Sequence, residues 1–163
     1  MSRLIRSAVM AVAIALMSLV AIVPPTYAGD NEVAFLNRLV GTWNGGGKLT
    51  GAYKANLTCK VVFKATGAKV NFSGRCTLTD LPSQNISGSL SYNDAKKQYE
   101  VRAGGKTVVG KRSGNTLTFV LVSRSLQGKS TTTMALSPSS IVADATLTDN
   151  EGKTSRTHMS LKK

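Results

Sequence analysis

Two stretches, YKANLTCKVVFK (53–64) and AKVNFSGRCTLT (68–79), alternate so regularly that their pairing can be read residue by residue. In the first, the apolar side chains fall on odd numbers: Tyr53, Ala55, Leu57, Cys59, Val61 and Phe63. In the second they fall on even numbers: Ala68, Val70, Phe72, Cys76 and Leu78. A period of two means strands with one buried face. A two-residue turn at Gly67-Ala68 then sets Phe63 opposite Phe72, Val61 opposite Gly74 and Cys59 opposite Cys76. Counting out from the hydrogen-bonded pair 66:69, the cysteines land on a non-hydrogen-bonded position, where Cα atoms lie ~4.5 Å apart. That is within disulfide reach. The chain has 2 cysteines, and in an oxidising compartment they form one bridge that stabilises by ~3 kcal/mol. The alternative is a pair of free buried thiols.

The same parity extends along the rest of the chain. Asp30 or Asn31 caps a short helix that shares Val33, Leu36 and Leu39/Val40 on one face and ends at Gly41. Strands follow at Trp43–Thr50, around Ile86–Tyr92 and at Tyr99–Ala103. Tight turns at Gly104-Gly105, Ser113-Gly114 and Gln127-Gly128 carry the glycine that two-residue hairpins favour. They set Val101 opposite Val108, Leu117 opposite Gly110, Phe119 opposite both Val108 and Leu136, and Leu121 opposite Met134. Across Pro138-Ser139, Leu136 meets Ile141. A three-residue loop, Asn150-Glu151-Gly152, needs Gly152 in the left-handed region and sets Ala143 opposite Met159 and Ile141 opposite Leu161. Ten strands joined by hairpins, with one continuous apolar face, predict an all-β, antiparallel up-and-down barrel that leaves no free edge. A two-sheet sandwich is the alternative.

Arg3 and Arg6 precede an apolar run from Ala8 to Val23, which Pro24 and Pro25 break before Thr26-Tyr27-Ala28. That is the layout of a secretory signal peptide, 1–28, cleaved at about Ala28/Gly29. The expected product is one 135-residue domain, 29–163, in the periplasm or outside the cell. Removing residues 1–28 takes away two arginines and no acid, so the formal charge falls from +13 to +11. This excess favours anionic partners. No nucleic-acid motif accompanies it, and the aromatic residues lie mostly on the inner face, so nucleic acid is not an expected partner. A monomer is expected.

The run FLNRLVGTW (35–43), continuing as NGGG (44–47), resembles the opening of calycin-group barrels: lipocalins, fatty-acid-binding proteins and relatives. It is most similar to nitrobindin-type barrels, with their G-T-W-x-G-x-G opening, and to small exported bacterial proteins with a like opening and two cysteines. The resemblance implies that Trp43 plugs one end of the barrel and packs against a late basic residue, for which Arg156 is the candidate. It also draws attention to His158, since nitrobindin-type proteins hold haem iron through a histidine near the C-terminus. Parity places His158 outside, next to inward Met159, so haem ranks as a minor alternative and no cofactor is expected.

With a single histidine and bridged cysteines there is no Cys–His pair, and no nucleophile elbow, zinc motif or phosphate loop is present. The sequence therefore predicts a non-enzymatic protein, with no catalytic or metal-binding residues. Its expected interior holds Tyr53, Phe72, Tyr92, Tyr99, Phe119 and Met134, with no Lys or Arg at mid-strand, although Arg112 reaches a rim. Such a cavity suits a small apolar ligand oriented by tyrosine hydroxyls; the competing possibility is a barrel filled by its own side chains. A carrier or sensor of that ligand is the first expectation. The second is a structural envelope module. Lys60 and Arg75 oppose each other on the outer face, with Lys54, Lys64 and Lys69 nearby, and like charges in facing positions favour an anionic partner, either a polymer or a membrane surface. On the far outer wall Val109, Val120, Ala135 and Val142 align, under the helix or against a second copy.

Overall fold

The computed structural model describes residues 29–79, 82–126 and 128–163. The expected signal peptide lies outside the described residues. A short helix, α1 (Asp30–Asn37), leads into ten strands: β1 (Gly41–Gly51), β2 (Ala55–Thr66), β3 (Lys69–Leu78), β4 (Gln84–Asn93), β5 (Gln98–Ala103), β6 (Lys106–Ser113), β7 (Thr116–Ser125), β8 (Gly128–Leu136), β9 (Ser140–Thr148) and β10 (Thr154–Lys162). Each strand pairs antiparallel with its sequence neighbours, and β1 pairs with β10 to close the barrel.

The opening hairpin has the register its alternation dictates: Phe63 faces Phe72, Lys60 faces Arg75 and Cys59 faces Cys76. The cysteines are bridged, with Cα atoms 4.1 Å apart, as expected at a narrow antiparallel pair. Val101 faces Val108, Leu136 faces Ile141, and Met159 faces Ala143. The last loop places Gly152 at φ 81°, where a side chain would be strained. Two ladders differ from expectation. Phe119 faces Gly110, and Leu117 faces Arg112, so the β6–β7 turn is Gly114-Asn115. On the other side Phe119 faces Met134, Leu121 faces Thr132 and Ser125 faces Gly128, which moves the β7–β8 turn one residue earlier. In both cases the register shifts by two, so every side chain keeps its face.

Helix α1 ends at Asn37, earlier than its apolar pattern suggested. It buries Phe35 and Leu36, with Leu39 just beyond it, rather than Val33. These three join Trp43, Leu117, Leu136 and Leu161 in the core at one end of the barrel. Fully burying an apolar side chain of this size stabilises by roughly 1.5–3 kcal/mol. The helix meets β3 and β4 across the barrel end and does not cover Val109 or Val120, which stay exposed on the outer wall.

Candidate functional site

The interior is not filled. A cavity of about 530 Å³ runs from the middle of the barrel to the end opposite α1, within the ~300–1,000 Å³ typical of small-molecule sites. Phe63, Leu90, Phe119, Leu136, Ile141 and Leu161 form its depth. Phe72 and Phe119 lie over Gly88 and Gly110, their register partners. A Cβ on Gly110 would sit 2.5 Å from the Phe119 ring, so the missing side chain is what lets that ring lie against the wall and keeps the lumen open. Toward the mouth the lining becomes more polar, with the side chains of Lys106 and Thr132; Asn85 and Ser87 border it by their backbone, since they share the outer face with their register partners Arg75 and Ser73. Lys106 is the charged residue among the described lining, and among the described residues its side chain makes no ion pair. Sequence reasoning missed it because Lys106 opens β6 directly after the Gly104-Gly105 turn, although its even number already gave it the inward face of Val108 and Gly110.

Three of the six expected lining residues, Phe72, Phe119 and Met134, line the cavity. The tyrosines do not. Tyr53 is 59% exposed on the link between β1 and β2. Tyr92 and Tyr99 point inward but sit at the helix end, in edge contact with ring centroids 5.1 Å apart. The Tyr99 hydroxyl donates to the Glu32 carboxylate, which also accepts a 2.7 Å bond from Arg112. Arg112 stacks over the Phe35 ring, 4.4 Å from its centroid. Burial pushes the Glu32 carboxyl up, yet hydrogen bonds from Tyr99 and Arg112 and the guanidinium charge outweigh it and hold it below the usual carboxylate range. Burial, then the bond to Glu32, pushes the Tyr99 hydroxyl well above its ordinary value. These groups fasten the helix as a floor, and none of the three expected tyrosines lines the cavity.

Trp43 is fully buried at the same end, its Nε1 donating to the Leu39 carbonyl at 2.9 Å. The cation over its ring is Lys163, with Nζ 5.3 Å from the centroid, rather than Arg156. Arg156 faces Thr50 at the far end of the β1–β10 seam. Strand β10 runs from the mouth to the floor, so only its last residues can reach Trp43. His158 is exposed on the outer wall, its Nδ1 2.7 Å from Asp144 Oδ1. It cannot present a nitrogen to the lumen, and the haem alternative loses its ligand.

On the outside, Lys54, Lys60, Lys64, Lys69 and Arg75 are all exposed. Lys60 and Arg75 are register partners, and Arg75 Nε donates to Asn85 Oδ1 at 3.2 Å rather than to an acid. Lys48 on β1 extends this basic face toward β10.

A closed ten-strand antiparallel barrel, plugged by a short helix and a buried Trp and hollow toward the other end, is a calycin-type, lipocalin-like fold. No protein-family model matches the chain, and no curated protein matches it significantly. Solved structures do. The chain is similar to the S-type phycobiliprotein lyase CPES from Guillardia theta (TM-score 0.55, 11% identity, covering 80% of this chain and 90% of that one). It is equally similar to Rv2717c from M. tuberculosis (TM-score 0.55, 13% identity, 80% and 96% covered). Bovine odorant-binding protein in complex with a selenium-containing odorant aligns more loosely (TM-score 0.35, 18% identity, 78% and 72% covered). Identities this low establish a shared fold and leave the ligand to be argued from the cavity itself.

Proposed function

We propose that this chain is an exported, non-enzymatic binding protein that carries or senses a small, largely apolar molecule in its barrel. The cavity of about 530 Å³ carries this reading, because it is walled by Phe, Leu, Val, Met and Ile side chains and opens to solvent at one end. Fixed apolar walls favour ligands by removing apolar surface from water. The polar contacts sit at the mouth, so a ligand with a polar or anionic end places it beside Lys106 and Thr132. Native mass spectrometry and an absorbance scan of protein from its own compartment test the proposal directly. A co-purifying small mass supports it and gives the ligand class. Titration with a fluorescent apolar probe should then show saturable binding that Val108→Trp abolishes by filling the lumen. A protein that carries nothing, and binds no probe in either form, overturns it.

A second reading, an envelope module that holds an anionic surface or polymer, is favoured by Lys60 and Arg75, which face each other with no acidic partner among the described residues. Lys60→Glu with Arg75→Glu should remove such binding and leave the probe titration unchanged. Binding through this face should also weaken steeply with salt.

A further inference from the structure

Exposed large apolar side chains are unevenly distributed. Tyr53, Ile86, Leu121, Val122, Leu126 and Leu147 all lie toward the open end, and Leu126, at the β7–β8 tip, is 97% exposed. Asn150 Nδ2 donates to the Leu126 carbonyl at 2.6 Å, tying the tip to the β9–β10 loop. Val122 and Val120 continue an apolar strip down the outer face of β7, at 56% and 54% exposure. Just behind the tip, Arg124 and Lys129 face each other in register, and neither forms an ion pair among the described residues. Facing like charges are unfavourable until a counter-charge arrives. The inner side of the same hairpin supplies Phe119, Leu121, Thr132 and Met134 to the cavity. One hairpin is therefore the wall of the mouth inside, and an apolar-tipped, doubly cationic finger outside.

We infer that the β7–β8 hairpin docks the open end of the barrel on an anionic lipid bilayer. Leu126 enters the boundary between headgroups and acyl chains, and Arg124 and Lys129, set back from the tip, lie at the depth of the phosphates. An apolar tip followed by cations matches the order of layers in a membrane interface. A soluble polyanion would answer the two cations but give Leu126 and Val122 no apolar surroundings. Docked this way, the mouth faces the lipid, and an apolar ligand passes between bilayer and cavity without crossing open water. Only this last step rests on the binding function proposed above.

Vesicle flotation tests the docking, using protein purified after expression of the full chain, with intact mass confirming one N-terminus across all variants. Phosphatidylcholine vesicles containing about a third phosphatidylglycerol should bind several-fold more protein than phosphatidylcholine alone, and salt should reverse the gain. Arg124→Glu with Lys129→Glu should lower binding more than ~20-fold, at roughly five-fold or more per cation. Leu126→Ser should lower it roughly ten-fold at unchanged charge. Lys60→Glu with Arg75→Glu should leave it within about two-fold, since each cation matters only near the lipid surface. Transfer of a fluorescent apolar probe from vesicle to protein should speed up with vesicle concentration, and the hairpin variants should lose that dependence while keeping probe affinity. Equal flotation of the hairpin variants overturns the inference. So does loss confined to the Lys60/Arg75 variant, which would move docking to the β2–β3 face, or capture by an anionic polymer without vesicle binding. If the binding function alone is wrong, neither wild type nor Val108→Trp takes up probe, yet vesicle flotation persists.

Discussion

The two ends of the barrel are built by opposite rules. At the floor, large groups are matched to partners: Trp43 to the Leu39 carbonyl and Lys163, Tyr99 and Arg112 to Glu32, and Phe35 between Arg112 and Tyr99. At the mouth, apolar side chains meet solvent, and Lys106, Arg124 and Lys129 have no acidic partners among the described residues. Matched contacts are concentrated at the floor, and charged and apolar groups without partners among the described residues are concentrated where the cavity opens. A chain with this layout can vary its mouth with little effect on its fold.

Substitutions can break that contrast at either end. The largest loss is expected at the floor, where Trp43→Ala should cost about 3–5 kcal/mol, read from urea unfolding. Cys59→Ser with Cys76→Ser, between the ends, should cost about 3 kcal/mol. Glu32→Gln should cost about 1–3 kcal/mol at neutral pH, because it replaces an ionised acceptor bonded to a charged donor with a neutral amide. It should also change the pH profile. The folded Glu32 carboxyl is lowered, so its contribution is complete above about pH 4–5, where the unfolded carboxyl is ionised, and fades as pH falls through the folded value. The folded Tyr99 hydroxyl is raised, so stability should also decline once pH climbs past about 10 and the unfolded chain alone ionises there. Glu32→Gln should flatten the acid limb. At the mouth, Leu126→Ser should stay within about 0.5 kcal/mol of wild type. A mouth substitution as damaging as Trp43→Ala would refute the division between the ends.

Strand number, facing and closure were legible because each follows from a period of two and from turn residues. The β6–β7 and β7–β8 registers were misplaced by two residues, an error to which alternation is blind. Shifting a ladder by two keeps every side chain on its face, and only turn geometry separates Ser113-Gly114 from Gly114-Asn115. The site was less legible for a related reason. Parity says whether a side chain points in or out; it does not say how deep it lies along the barrel axis. Tyr92 and Tyr99 have the correct face and the wrong depth. Arg156 was expected at Trp43, although β10 places it at the opposite end and leaves Lys163 beside the indole. Lys106 is the converse, an inward residue discounted because it stands beside a turn. Depth is set by strand stagger around the ring, which depends on all ten ladders together.

The pairing of β1 with β10 has a consequence for how the molecule comes into being. Nine of the ladders join consecutive strands, and each can zip from its own turn. The tenth joins distant parts of the chain, as at Thr50 and Arg156, which are 106 residues apart. The ring behaves like a bracelet with one clasp. Until β10 is available, a curved nine-strand ribbon carries two open edges, and Trp43 waits without the Lys163 that caps it. Clasping is the slow, non-local event, and a chain shortened before Thr154 would keep its hairpins but gain two sticky rims.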